Sequence, residues 1–107
     1  MEIREYVDER DRSPFADWFS GLDAQAAAKV SVALMRMERG NLAHAKSVGG
    51  GVEEYRIDWG PGYRLYFGRD GATLILLLCG GTKRRQQDDI AEAHALWASY
   101  KRRRKEG

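Results

Sequence analysis

The chain has 107 residues, the size of one domain with a core of its own, so neither a disulfide framework nor a structural metal is required for folding. Hydrophobic residues make up 43% and charged residues 32%, a balance that excludes a fully disordered chain, and no apolar run approaches a membrane span. The net charge of +2 hides an asymmetry: residues 1–45 carry 6 Lys/Arg against 8 Asp/Glu, residues 46–107 carry 12 against 8, and 13 of the 18 basic residues are Arg. Such charge is ordinarily a solvated surface, although the planar guanidinium also suits phosphate. The single Cys79 lies in an apolar run, as a reduced, buried thiol does. With no signal-peptide pattern at the N-terminus, a cytoplasmic location is expected.

In chain order, Ile3–Val7 alternates and is short enough for an edge strand. Ser13-Pro14 reads as a helix start, and the helix Pro14–Ser20 stops at Gly21. Asp23 caps a longer helix with Ala27, Val30, Leu34 and Met37 on one stripe, ended by Gly40-Asn41. Beyond Gly49–Gly51 the period changes to two. Val52–Asp58 and Tyr63–Arg69 are strands joined by Trp59-Gly60-Pro61-Gly62, and Asp70-Gly71 is a hairpin turn. Thr73–Cys79 is apolar throughout and predicts a central strand buried on both faces. Thr82 reads as the N-cap of a final helix with Ile90, Ala93, Trp97 and Tyr100 on one stripe, and the basic run Lys101–Lys105 is expected to fray. The expectation is one α+β domain over residues 1–107, ordered β-α-α-β-β-β-α, with a mostly antiparallel sheet packed by an N-terminal helical hairpin and a C-terminal helix.

Two features bear on chemistry. The alternation in the hairpin fixes its register and requires Arg56 and Arg64 to share a face, hence an odd-length connection or a bulge near Trp59–Gly62. That face carries Glu54, Arg56, Asp58, Arg64 and Tyr66, which reads either as a solvated lattice of ion pairs or as part of a cationic cleft. Second, a helix beginning at Thr82 places Lys83, Arg84 and Arg85 in its first turn, unfavourable for the helix dipole but suited to an anion; Asp88 and Asp89 partly neutralise them. Together they point to an RNA backbone as the ligand. His44 and His94 have no partner at metal spacing, Cys79 lies in no nucleophile motif, and the glycine runs match no phosphate loop, so no metal or nucleotide cofactor is implied.

From Glu54 to Gly68 (EYRIDWGPGYRLYFG) and from Leu76 to Lys83 (LLLCGGTK), with Ser13-Pro14-Phe15 and the closing Gln87, Asp89-Ile90 and Ala93, the sequence resembles the phage-derived addiction-module killer proteins, a HigB-type branch of the RelE/ParE toxin superfamily. The resemblance implies a toxin held by a small helix-turn-helix, HigA-like antitoxin, touching operator DNA only through that partner, and cutting mRNA on the ribosome without a metal. In RelE-like toxins the ribose 2′-OH attacks the adjacent phosphate. Carried over by motif, Arg56, Arg64 and Lys83 hold the scissile phosphate. Beside them Arg84 and Arg85 are expected to assist, with Glu54 and Gln87 as further candidates for substrate binding. Where RelE has a second strand lysine this chain has Asp58, and Asp88-Asp89 stand where its late tyrosine would be expected. Tyr66 as proton donor and Asp58 as base are the alternatives for proton transfer. The ParE branch keeps the fold while poisoning DNA gyrase, so a gyrase inhibitor or a non-catalytic RNA-binding protein is the rival reading.

Overall fold

The computed structural model describes residues 1–107. Ser13 Oγ accepts from the Ala16 amide at 3.0 Å and opens α1 (Pro14–Ser20); Asp23 Oδ1 accepts from the Ala26 amide at 2.8 Å and opens α2 (Ala24–Glu38). Each cap satisfies a helix N–H that would otherwise lack a partner. The strands β1 (Glu2–Glu5), β2 (Ala45–Ser47), β3 (Val52–Ile57), β4 (Tyr63–Asp70) and β5 (Leu74–Thr82) form one sheet in the order β1-β5-β4-β3-β2. Only β1–β5 is parallel; the other pairs are antiparallel. The chain closes with α3 (Gln86–Glu106). No helix is long and apolar enough to cross a membrane.

The strand alternation sorts the core into two layers. Tyr55, Leu65, Phe67, Ile75 and Leu77 face Phe15 of α1 and Val30, Ala33 and Met37 of α2. Val52, Tyr66, Leu76, Leu78 and Cys79 face Ala93 and Trp97 of α3. Central β5 is buried on both sides, as its unbroken apolar run predicts. Two glycines admit indoles to the sheet. A Cβ on Gly80 would meet Trp18 of α1 at 2.3 Å, and one on Gly68 would meet Trp97 at 2.4 Å. An alanine at either place would force the helix outward, an overpacking cost of about 1–3 kcal/mol.

Three expectations need correction. The sheet has an additional strand, β2, whose three-residue Ala-Lys-Ser segment is too short and polar to show alternation. Thr82 does not cap an α-helix: Lys83–Arg85 form a single 3-10 turn, and α3 starts at Gln86 with Asp88 and Asp89 in its first turn. The cations therefore precede the α-helix, and exposed Asp88 suits its dipole. The basic run does not fray but continues α3 to Glu106, because Arg103 Nη2 donates to the Val7 carbonyl at 2.6 Å with its guanidinium over the Tyr6 ring, and Arg104 pairs with Asp70 at 2.6 Å.

Candidate functional site

The five-residue connection from Asp58 to Gly62 is odd in length, so Arg56 stands directly opposite Arg64, and Glu54 opposite Tyr66. Lys46 of β2 is opposite Glu54 on the other side. All of these occupy the face that α3 covers, and they run from core to solvent: Tyr66 and Glu54 fully buried, Arg64 5% exposed, Arg56 at the open end. The bulge lies elsewhere, at Leu78, where the β4–β5 pairing steps from Tyr66↔Cys79 to Phe67↔Leu77.

Glu54 organises the buried end. Its Oε2 accepts from the Tyr66 hydroxyl at 3.0 Å and from Gln86 Nε2 at 2.9 Å, with Arg64 Nε at 3.6 Å. Its Oε1 has no hydrogen-bond partner and faces the Lys46 ammonium at 3.8 Å. Burying a carboxylate in such a place is tolerated only because cations and donors replace its water. Burial, followed by the Glu54 hydrogen bond, pushes the Tyr66 phenol well above the usual tyrosine range. Tyr66 is fully buried with its hydroxyl bonded to Glu54, so it stands behind the solvent-facing cations rather than among them.

Gly62 links the loop to the cations. Its carbonyl accepts from Arg64 Nη1 and from the Lys83 amide, both at 2.9 Å. Its φ of +77° favours glycine, and a Cβ there would crowd Arg64 Nη1 at 3.3 Å and Lys83 Cβ at 3.4 Å. Arg56, Arg64 and Lys83, from three separate segments, are thereby gathered at one end of the sheet. Exposed Asp58 pairs with Arg56 at 3.3 Å.

The remaining predicted residues disperse. Arg85 lies on the other flank of α3, weakly paired with Asp88 at 3.9 Å and lining a recess with Trp18, Gly80 and Asp89. Arg84 and Gln87 are exposed. Glu54, expected to face substrate, is enclosed instead. Sequence reasoning missed Gln86 and Lys46, which bracket Glu54; the only sequence signal for Lys46 was its place just before the triple glycine. His94 is a packing residue, its Nε2 lying 3.0 Å from the Val48 carbonyl. Burial raises the Cys79 thiol above its ordinary range, which leaves it unreactive.

Residues 17–99 match the family described as Phage derived protein Gp49-like (DUF891). The chain is also 42% identical over 83 residues to an uncharacterized protein of Haemophilus influenzae (strain ATCC 51907 / DSM 11121 / KW20 / Rd), the match spanning 77% of this chain and 84% of the relative. The chain belongs to the phage-derived Gp49-like family, a family of RelE-like toxin–antitoxin toxins.

Proposed function

We propose that this protein is the toxin of a type II toxin–antitoxin module, partnered by a helix-turn-helix antitoxin, and that it cuts mRNA on the ribosome. One observation carries the reading: Arg56 opposite Arg64, with Lys83 tied to the same Gly62 carbonyl as Arg64, concentrates positive charge from three segments at one solvent-facing end of the sheet. Exposed Arg56 and Lys83 touch the scissile phosphate, while Arg64 lies behind them and supplies positive potential. The ribose 2′ oxygen bonds to phosphorus and the P–O5′ bond breaks, leaving a cyclic phosphate and a 5′ hydroxyl. Asp58, exposed beside Arg56, takes the 2′-OH proton, and the departing oxygen is protonated by water. Preorganised cations stabilise the doubly charged phosphorane, and removing one such group costs about 10²–10³ in rate.

The test maps 5′ ends of cellular mRNA after induction of the wild type, Arg56→Ala, Lys83→Ala and the double variant. Codon-phased cuts are expected from the wild type, with each single variant at least about 100-fold weaker. Undiminished cutting by all three variants refutes the site. The burial of Arg64 and Tyr66 favours a second reading, a non-nucleolytic toxin that binds through the same surface, as a ParE-like gyrase inhibitor does. Growth arrest without new mRNA ends identifies it.

A further inference from the structure

Next to the cation cluster, a cavity of about 300 Å³ opens between α2 and the end of β3, beyond the end of β2. Lys29, Val32 and Arg36 of α2 line one wall; His44, Asp58 and Trp59 line the other, and Arg56 forms the boundary with the phosphate site. The volume is at the lower end of small-ligand sites and holds a nucleobase with its sugar. Trp59 is the key element. It stacks on Tyr63 with ring centroids 6.1 Å apart and planes 23° from parallel, and Tyr63 meets Trp18 edge-on at 6.0 Å, so the indole is braced from behind. The Lys29 ammonium reaches the Trp59 ring at 5.6 Å from its centroid, so the ring is open to a solvated group from α2. Three cations surround this braced indole, with Asp58 as the single carboxylate in the lining, and that carboxylate is engaged by Arg56. Aromatic surface flanked by cations such as Lys29 and Arg36, neither of them in an ion pair, is the pairing that single-stranded nucleic acid selects: the base stacks, and the backbone phosphate meets the charge. An apolar peptide would leave Lys29 and Arg36 desolvated without partners.

We propose that this cavity is a nucleobase subsite. A base adjacent to the scissile phosphate stacks on Trp59 in place of the Lys29 ammonium, and Lys29 and Arg36 turn to the neighbouring phosphate. Purines bind better than pyrimidines because their larger rings cover more of the indole. The inference rests on the reading of this chain as an RNA-directed toxin and adds the element that holds the strand in place.

The test uses the full-length protein and 2′-O-methylated RNA hexamers, which cannot undergo 2′-OH attack, with binding followed by tryptophan fluorescence and anisotropy. An oligoadenylate is expected to bind about tenfold more tightly than the matching abasic strand, a preference removed by Trp59→Leu and kept by Trp59→Phe. Arg36→Glu, at an exposed position that leaves the core intact, lowers affinity for both strands at least about tenfold and serves as the check if Trp59→Leu does not fold. Equal binding of the two strands by the wild type, unchanged affinity in Arg36→Glu, or loss of antitoxin capture with RNA binding unaffected would overturn the subsite. Failure of the subsite is distinct from failure of the nuclease reading: the first leaves mRNA cutting dependent on Arg56 and Lys83, the second leaves base-dependent binding without cutting.

Discussion

Replacing Glu54 with alanine is expected to be among the costliest single changes in the protein. Three groups converge on Glu54 Oε2, the Tyr66 hydroxyl, Gln86 Nε2 and Arg64 Nε, and the Arg64 side chain is only 6% exposed. Without that carboxylate the guanidinium keeps one protein acceptor, the Gly62 carbonyl, and stays buried with its charge uncompensated. Breaking a buried pair in this way costs about 3–5 kcal/mol, against a total stability of about 5–15 kcal/mol for a small domain. At about 4 °C or more per kcal/mol, the thermal midpoint falls by at least roughly 12 °C. The reverse truncation is milder. In Arg64→Ala, Glu54 keeps Tyr66 and Gln86 as donors and Lys46 at 3.8 Å, so the cost is about 1–3 kcal/mol. A double-mutant cycle by urea unfolding separates the pair from its surroundings, with a coupling of at least about 1 kcal/mol expected. A Glu54→Ala cost below about 1 kcal/mol, or strictly additive single changes, would refute the assignment of Glu54 as the counter-charge that keeps Arg64 in place.

Burial holds the Asp89 carboxyl above the usual carboxylate range, opposed by the Arg85 charge, and its Oδ2 has no partner over Gly81. The native state therefore keeps this proton to higher pH than the unfolded chain. Its contribution to stability is full below the unfolded value and lost as pH rises through the folded one. Asp89→Asn should accordingly raise the urea midpoint at neutral pH, with the gain vanishing below about pH 4, and a gain that grows in acid would contradict this. Tyr66→Phe should cost about 1.5–3 kcal/mol through the lost bond to Glu54 while changing mRNA cutting less than tenfold. Abolished cutting at unchanged stability would return the phenol to the chemistry.

Much of the fold was legible because local and global signals agree. Ser13 and Asp23 cap the helices they were read to cap, the apolar run before Gly80 is the doubly covered strand, and the odd connection after Ile57 sets Arg56 against Arg64. What failed depends on contacts distant in sequence. Alternation assigns Glu54 and Tyr66 to a polar face, yet only the arrival of α3, with Gln86 at its start, decides that this part of the face is enclosed. The sequence pattern puts the start of α3 too early because Lys83 is held by the loop carbonyl of Gly62, which keeps the turn at Lys83–Arg85 separate from the α-helix. The order of the basic tail likewise comes from Val7, Tyr6 and Asp70.

The parallel pairing of β1 with β5 has a consequence for how the molecule comes into being. During synthesis Glu2–Glu5 precede their partners at Leu74–Leu77, and the cover over Glu54 comes from α3, translated after every strand of the sheet. Long-range closure of this kind is slow, and a nascent chain that already carries Arg56 and Arg64 still lacks the helix that sets their surroundings. Under the proposed reading as a toxin of translating ribosomes, this order withholds the finished surface from the ribosome making the protein until α3 has been added.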